Sequence, residues 1–293
     1  MTPRLEVVPV TVAIPTIGRV EPLRRCLESL AASAPAPAEI LVVDQSHDPA
    51  VGALVDEVGG ARARVVPSHG LGVARARNDG LRAAASDVVL VTDDDCTVSP
   101  VWVSTGLRLA TTYPGAIVTG RVMPVGDPRA VPSTKEDPLP VDLSDERRGG
   151  WLFGNNMALP RAAVLELGGF DERFGPEEAA EDNEFCYRWL KAGRPLRYEP
   201  SLVVEHHDWR SPADLERLYV RYARGEGFFY AKHLRRGDLR MLRFVCRDLV
   251  WGLRGLASGT VKGREPWTDS RRGVFKGMPG GFAAGWRAYG KER

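Results

Sequence analysis

The chain has 293 residues, of which 43% are hydrophobic and 27% charged, a composition typical of an ordinary globular protein rather than a disordered or fibrous one. Its formal net charge of +2 identifies no class of partner. The charges are unevenly spread, because residues 1–209 hold 21 Lys and Arg against 30 Asp and Glu, whereas residues 210–293 hold 19 against 8. The sequence therefore predicts an acidic body followed by a basic C-terminal segment.

Cysteine usage and hydropathy predict a cytoplasmic protein. The four cysteines are far apart and form no CxxC pair, which favours reduced thiols in a reducing compartment. The N-terminus has no cationic stretch followed by a long apolar one, so no signal peptide is predicted. No window approaches ~20 uncharged apolar residues, the length that a membrane-spanning helix needs.

Strand and helix patterns alternate in the first third of the chain. Short apolar runs rich in β-branched residues predict strands at Val10–Ile14, Ile40–Val43, Arg64–Val66 and Val88–Val91. Helical spacing predicts helices in the three intervals, within "RVEPLRRCLESLAAS", 49–58 and "VARARNDGLRAAAS". This rhythm predicts βαβ units and a mainly parallel α/β sheet flanked by helices.

The later elements are less regular. A helix at 101–112 and a strand at 116–122 precede a Pro-, Asp- and Gly-rich loop at 124–150, and loops of this length are usually functional or mobile. A helix from about Arg161, a helix with an acidic first turn, and short strands at Leu196–Tyr198 and Leu202–Glu205 follow. The pattern is helical from Pro212 to about Leu256, and no element is predicted for the remainder.

Polar residues follow the predicted strands where each one ends. Ligands of open α/β sheets bind beyond the carboxyl ends of the strands. Here those ends carry Pro15 and Thr16, then Asp44, then the run Asp93–Asp95. A ligand site is therefore expected at this edge of the sheet.

The three adjacent aspartates need a partner, because burying a carboxylate without one costs several kcal/mol. Carboxylate oxygens suit Mg²⁺ or Mn²⁺. If the strand persists, Asp93 and Asp95 share a face while Asp94 points the other way and is expected to tolerate replacement best. A solvated acidic turn or a helix cap is the alternative interpretation.

His206 and His207 follow a later strand, and histidine is a common ligand of divalent ions. His206 is favoured to complete a site opened by the aspartates. A pair of surface or capping histidines is the alternative.

Glu181 and Asp182 begin a predicted helix. An acidic first turn interacts favourably with the helix dipole and needs no further function. A general base that deprotonates a hydroxyl is the functional interpretation. Similarly, Arg75 and Arg77 lie on the helix after "SHGLG", where they could bind phosphate or simply face solvent.

Seven segments occur in a recognisable order over roughly residues 8–210: "VAIPTIGR", "EILVVDQSHD", "GLGVARARNDGL", "VVLVTDDDC", "GNNMALPRAAVLELGGFDERFG", "AEDNEFCYRWLKAG" and "VVEHH". In this order the chain resembles family 2 glycosyltransferases, nucleotide-sugar enzymes of the GT-A fold. The resemblance implies a GT-A domain at 1–210, with a nucleotide-binding half at about 8–122 and an acceptor-side half at about 150–210. Residues 211–293 would be a basic, aromatic helical extension.

The resemblance also implies roles for single residues in donor binding. Pro15, Thr16 and Glu21 would line the nucleotide pocket, and Asp44 would hold the base edge. Arg77, with Asn78, would lie beneath the nucleotide.

Within the DXD motif of the family, Asp93 would face the ribose and Asp95 the metal that bridges the diphosphate, with Asp94 between them in the donor-binding segment. Asn155 and Asn156, after Gly154, would lie near donor sugar and acceptor. His206 would contact the metal, and Asp182 would be the catalytic base.

The implied reaction is inverting, non-processive sugar transfer to an acceptor hydroxyl with Mn²⁺ or Mg²⁺. A processive synthase with the QxxRW motif is excluded, since Gln45 is the only glutamine. UDP-sugars are the leading expectation for the donor, with dTDP- and GDP-sugars as alternatives. The second strand ends in "VDQS", whereas many family members have two acids and a glycine before the serine. This departure leaves the identity of the donor's nucleotide base open.

Two other functions are compatible with parts of the pattern. A sugar-1-phosphate nucleotidyltransferase would carry a Gly-rich loop with Arg after the first strand, but "IPTIGRVEP" has one glycine. A non-catalytic binding protein of the same fold is opposed by the intact Asp93, Asp95, Asp182 and His206.

The basic segment 211–293 has three interpretations. It could be a helical subdomain on the acceptor side, or a peripheral contact with an anionic membrane at the inner face, since basic and aromatic residues serve together there. Nucleic-acid binding is the third, and no motif supports it.

Overall fold

The structure, a computed structural model, describes residues 6–127, 131–145, 153–207, 211–258 and 266–290. These residues form two compact units. The first contains the described residues of Met1–Phe170 and Phe185–Asp208, and the second those of Asp171–Glu184 and Trp209–Arg293. The segment that carries Asp182 therefore belongs to the same unit as the C-terminal helices.

The first half of the sheet is parallel, as predicted. Strands β1 (Val7–Thr16), β2 (Ala36–Asp44), β3 (Ala63–Pro67) and β4 (Val88–Thr92) lie in the order β3-β2-β1-β4. Helices α1 (Val20–Ala31), α2 (Pro49–Val58) and α3 (Val73–Ala83) connect them. The near-continuous apolar strands are typical of parallel sheets covered on both faces.

The core of this unit forms where helices cover the sheet. Buried residues of α1 at helical spacing meet buried strand residues of β1 and β2 and the indole of Trp102. The apolar members drawn from these elements include Val10, Val12, Ile14, Leu23, Leu27, Leu30, Ile40, Val42 and Trp102.

The second half of the sheet is mixed, which the sequence pattern did not predict. It contains β5 (Cys96–Val98), β6 (Ile117–Val125), β7 (Val141–Asp142), β8 (Asn156–Pro160) and β9 (Leu196–His207). Strand β8 is antiparallel to both β4 and β6, while β6 and β9 are parallel and β5 and β7 are antiparallel to β9. Helices α4 (Trp102–Thr112), α5 (Arg161–Glu166) and α6 (Glu181–Lys191) complete this stretch.

The prediction of two strands between 196 and 205 was wrong, because one strand, β9, covers the whole interval. Its pairing with β6 runs from Leu196 opposite Ile117 to His207 opposite Val125, with a register shift after Gly120. A bulge of this kind absorbs Pro200, which has no N–H to donate to the ladder. Strand β9 thereby carries His206 to the carboxyl edge.

The second unit contains α7 (Pro212–Arg235), α8 (Met241–Ser258) and α9 (Pro266–Ala288). Helix α7 begins with a capping box, in which the Ser211 side chain accepts from the Asp214 backbone and the Asp214 side chain accepts from the Ser211 backbone. Among the described helices, none is both long and apolar enough to cross a membrane.

Helix α9 was not predicted, because its sequence is rich in glycine and contains Pro279. Four of its five glycines recur every fourth residue, at 273, 277, 281 and 285. A Cβ at Gly277, Gly281 or Gly285 would overlap a backbone carbonyl of α7. The glycines therefore let the two helices approach closely, and this packing offsets the low helix propensity of glycine.

Candidate functional site

The topology of the first unit brings several chain segments to one edge of the sheet. Strands β1, β2 and β4 end there at Thr16, Asp44 and Thr92. Strand β8 begins there, because Asn156 pairs with Thr92. His206 near the end of β9 pairs with Cys96, which follows the three aspartates.

Asp93, Asp94 and Asp95 form a turn and do not extend β4, since the Cys96 N–H donates to the Asp93 carbonyl at 3.1 Å. The alternation of a strand therefore does not apply, and the prediction that Asp94 faces away from Asp95 was wrong. Arg19 contacts both carboxylates.

Asp94 is also bound by Thr16, whose hydroxyl donates to Asp94 Oδ2 at 2.6 Å. The Asp94 side chain is 1% exposed, and burial raises its pKa to about 6 although the charge of Arg19 opposes this shift. The expectation that Asp94 tolerates replacement best therefore loses its structural basis.

Arg19 is a cationic partner of Asp94 and Asp95 in the aspartate turn, and the sequence patterns did not identify it. Its Nη1 lies 2.9 Å from Asp95 Oδ2, and its Nη2 forms an ion pair with Asp94 Oδ1. Gly18 precedes it with φ +90°, a conformation that glycine adopts without strain. The sequence did contain a signal for Arg19, since it is a basic residue directly after the turn that ends β1, at the predicted ligand edge.

Replacing Arg19 by Met is expected to lower the free energy of unfolding by about 3 kcal/mol, because two buried carboxylates lose their cation. Urea denaturation measures the loss. The matched control is Arg24→Met, whose ion pair with Glu57 is largely exposed, so its loss is expected to be much smaller because solvent screens such pairs. Equal losses in the two variants would contradict this role for Arg19.

A candidate metal-binding group lies beside this turn. Potential ligand atoms of Asp95, Cys96 and His206 all lie within 4.8 Å of one another, and all three residues are buried. His206 Nε2 is 3.5 Å from Asp95 Oδ1 and has no hydrogen-bond partner among the described residues. A buried nitrogen without a partner next to a carboxylate is what a divalent cation would satisfy.

Asp95 fits Mg²⁺ or Mn²⁺ better than Cys96 does, because these hard cations prefer oxygen ligands to sulfur, and the imidazole of His206 is a common metal ligand in proteins. Burial raises the pKa of the Cys96 thiol well above its usual range, and the side chain belongs to the apolar core. His207 is directed elsewhere, with Nε2 2.9 Å from the Thr97 hydroxyl. The structure therefore brings the side chain of His206, and not that of His207, to the Asp95 carboxylate.

Arg77 lies at the same edge, buried, with Nη2 3.7 Å from Asp93 Oδ1. A Cβ at Gly154 would overlap its guanidinium, so the absence of a side chain at Gly154 leaves room for Arg77. Asn78 instead fixes the backbone of Phe170, accepting from its N–H at 2.9 Å and donating to its carbonyl at 2.8 Å.

Asn155 and Asn156 differ in how their amides are used. Asn156 donates to the carbonyls of Arg121 and Leu202 and accepts from the Trp102 indole, so protein groups occupy its amide. Asn155 Nδ2 lies 3.5 Å from His206 Nδ1, and its buried Oδ1 has no partner among the described residues. This arrangement favours a structural role for Asn156 and leaves Asn155 available for a ligand.

The remaining candidates of the first unit lie along β1, β2 and α1. Pro15 and Thr16 are buried at the end of β1, and Glu21 is exposed in the first turn of α1. Asp44 Oδ1 accepts from the Ser46 N–H at 2.8 Å. Gln45 donates to two backbone carbonyls, of Gly70 and Gly72, and thereby fixes the loop before α3.

Asp182 belongs to the second unit, in the first turn of α6, where it is half-buried. Its carboxylate accepts from the Asn183 N–H at 2.8 Å. The described structure thus supports the prediction of an acidic helix start, while the role of Asp182 as base stays a prediction.

A buried ion cluster holds both ends of the segment that carries Asp182. Lys232 Nζ lies 2.7 Å from Asp171 Oδ2 and 2.5 Å from Glu184 Oε1, and His233 Nε2 lies 3.0 Å from the same Glu184 oxygen. Burial by itself would raise the pKa of Asp171, but Lys232 and the Tyr289 hydroxyl outweigh it and hold this pKa well below its ordinary value. Sequence patterns did not reveal this cluster, because its members are far apart in the chain.

The second unit also contains a cavity of about 330 Å³ with aromatic and acidic walls. Burial, with the nearby charge of Asp248, raises the pKa of Glu226 in this cavity to about 7. Its lining residues are Tyr219, Tyr222, Ala223, Glu226, Arg247, Asp248, Trp251, Val274 and Met278.

The fold is that of the GT-A glycosyltransferases. The family model "Glycosyl transferase family 2" matches residues 11–161, just over half of the chain, and the chain belongs to this family. The resemblance seen in the sequence motifs is thereby confirmed.

Curated relatives carry transferase names. A "Pre-mycofactocin glycosyltransferase" of Mycobacterium tuberculosis is 29% identical over 209 residues, which are 67% of this chain and 42% of the relative. A "Glucosyl-dolichyl phosphate glucuronosyltransferase" of Haloferax volcanii is 27% identical over 214 residues, 68% of each chain. The chain thus spans less than half the length of the mycobacterial relative.

Solved structures confirm the GT-A fold, which the sequence resemblance implied. A mannosyltransferase of Pyrobaculum calidifontis, solved with GDP-Man and Mn²⁺, superposes with a TM-score of 0.57 at 18% identity, over 100% of this chain and 80% of that one. TarS of S. aureus, solved with UDP-GlcNAc, gives a TM-score of 0.56 at 17% identity over 76% and 66%. At these identities the likeness concerns the fold.

Proposed function

We propose that this protein transfers a sugar from a nucleotide-diphosphate donor to an acceptor hydroxyl with inversion of configuration. The observation that carries the proposal is the buried pair of Asp95 and His206 at the carboxyl edge of a GT-A sheet, with the His206 Nε2 lacking a hydrogen-bond partner among the described residues. Family membership supports the reaction class. The metal ions and nucleotide sugars of the similar solved structures support a donor of this kind.

Each candidate residue has a chemical task in this proposal. Asp95 and His206 would hold Mn²⁺ or Mg²⁺, which supplies Lewis-acid stabilisation of the negative charge on the leaving diphosphate. Asp93 binds the ribose. Asp182 removes the proton from the acceptor hydroxyl, and the hydroxyl oxygen attacks the anomeric carbon on the face opposite the diphosphate.

The alternatives are separable by product. A sugar-1-phosphate nucleotidyltransferase releases pyrophosphate from a nucleoside triphosphate, whereas a transferase releases a nucleoside diphosphate. A non-catalytic binding protein consumes no donor: it neither transfers the sugar to an acceptor nor hydrolyses the donor slowly when acceptor is absent.

The base of the nucleotide donor can be identified from how much each nucleoside diphosphate stabilises the folded protein. We expect one nucleoside diphosphate among UDP, GDP and dTDP, supplied with Mn²⁺, to raise the melting temperature above the other two, since a ligand at ~100 Kd adds about 2.7 kcal/mol to folding. UDP is the leading candidate. The matching nucleotide sugar should then yield free diphosphate in a coupled assay, and the absence of both effects for every base would refute nucleotide-sugar use.

The acceptor and the location are further parts of the proposal. The name of the Haloferax volcanii relative contains glucosyl-dolichyl phosphate, and a basic C-terminal segment suits a lipid-linked acceptor. We therefore place the protein in the cytoplasm, at the inner face of the membrane, with peripheral contact through residues 211–293.

A further inference from the structure

Helix α8 of the second unit exposes an apolar stripe. Leu242, Cys246, Leu249 and Leu253 stand at i, i+4, i+7 and i+11, so they share one face of the helix. The three leucines are 50%, 38% and 58% exposed, and Val250 beside them is 46% exposed. Single exposed apolar residues are ordinary, but a contiguous row on one helix indicates a contact surface.

A basic border runs along one side of this stripe. At 100° per residue, Arg243, Arg254 and Arg247 follow Val250 around the helix, and all three are exposed. Asp248 is the only acidic residue of α8. It accepts from the Tyr230 hydroxyl at 2.6 Å and from Arg247, so it is engaged within the unit. The described exposed positions of α8 therefore combine apolar and cationic side chains without an acidic one.

The remaining face of α8 packs within its own unit. Met241 and Phe244 are buried, and Asp248 and Trp251 line the cavity described above. The stripe of Leu242, Leu249 and Leu253 is thus a second apolar face, separate from the one that stabilises the helix.

We propose that this exposed face of α8 binds the surface of an anionic lipid bilayer, with the leucine stripe among the headgroups and acyl ends and Arg243 and Arg254 at the lipid phosphates. The inference rests on the membrane contact proposed for residues 211–293, but not on sugar transfer. A cationic border next to an apolar stripe is the pattern of helices that lie in the interface plane. A second copy fits less well, because a two-fold contact would bring the same arginines together.

Cys246 gives a direct readout from within the stripe. It is exposed, whereas Cys26, Cys96 and Cys186 are buried, so a polarity-sensitive thiol dye labels it selectively in the folded full-length chain. We expect a blue shift of the dye emission with vesicles of phosphatidylcholine and phosphatidylglycerol, and a much smaller shift with phosphatidylcholine alone. Raising the salt concentration should reduce the shift. No shift on anionic vesicles would overturn the proposal.

Two variants of the unlabelled full-length chain separate the apolar and the electrostatic contributions. The triple variant Leu242→Ser, Leu249→Ser, Leu253→Ser is expected to lower the vesicle partition coefficient at least about tenfold. The double variant Arg243→Gln, Arg254→Gln should lower it about thirtyfold at low salt.

The matched control removes three exposed apolar side chains of the first unit, by Leu71→Ser, Val101→Ser and Leu139→Ser, and should partition as the unchanged chain does. Because all substituted positions are exposed, circular dichroism should show an unchanged fold. Unchanged partition of both α8 variants would overturn the proposal. It would also be overturned if the unchanged chain formed a dimer but bound no vesicles, and the triple leucine variant were monomeric. Donor turnover without lipid is measured separately, so loss of one function does not imply loss of the other.

Discussion

Asp182→Asn is expected to bind donor as the unchanged protein does and to lose sugar transfer by ~10²–10⁴-fold. Asparagine has the shape of aspartate, and its carbonyl oxygen can still accept from the Asn183 N–H, as Asp182 does at 2.8 Å. What it cannot do is take a proton from the acceptor hydroxyl. Single-turnover transfer with saturating donor and acceptor measures the loss, and nucleoside diphosphate titration measures donor binding.

Glu177→Gln is the matched control for this variant. Glu177 lies in the same acidic segment and is exposed, so the same loss of one charge is expected to leave transfer within about threefold of the unchanged rate. Near-native transfer by Asp182→Asn would remove Asp182 as the base. An equal loss in both variants would show that the charge of the segment, and not one positioned carboxylate, supports the reaction.

Metal removal is expected to have an effect of comparable size. Chelation with EDTA should abolish transfer and Mn²⁺ or Mg²⁺ should restore it, because the leaving diphosphate needs a cation beside it. Asp95→Asn and His206→Ala should each weaken Mn²⁺ binding at least about 100-fold, which is the upper end of the loss seen when residues that merely support metal ligands are replaced. Calorimetric titration of Mn²⁺ in the presence of nucleoside diphosphate measures this without relying on activity.

The neighbouring histidine provides the control. The His207 side chain contacts Thr97, and the hydrogen bond of its backbone N–H to the Asp95 carbonyl at 3.0 Å is retained in an alanine variant, so His207→Ala should bind Mn²⁺ as the unchanged protein does. Full transfer in chelator would refute the metal role of Asp95. Weaker Mn²⁺ binding by His207→Ala than by His206→Ala would assign the ligand to the other histidine.

The parallel half of the sheet was predictable from local pattern. Strands β1 to β4 are short β-branched runs, and the helices between them carry apolar residues at helical spacing. Such periodicities depend only on neighbouring residues. The polar groups at the strand ends, Thr16, Asp44 and Asp93, could therefore be expected at one edge from the sequence alone.

The antiparallel strands and helix α9 were not predictable in the same way. Strand β5 has three residues and is stabilised by pairing with β9, and β8 has five residues and is stabilised by pairing with β4. Helix α9 contains glycines and a proline that disfavour a helix locally. It forms where those glycines allow close packing on α7, and such a contact is invisible to a local pattern.

The parallel α/β frame, the family resemblance and the residue types of the site all follow from local sequence pattern. Tertiary structure decided which of those residues meet. Only the turn after Thr92 brings Asp94 and Asp95 to Arg19, and only the pairing of β5 with β9 brings His206 to Asp95. Periodicity encodes which face of an element a residue occupies, whereas distances between residues 76 or 111 positions apart are set by strand register and packing, which no local pattern specifies.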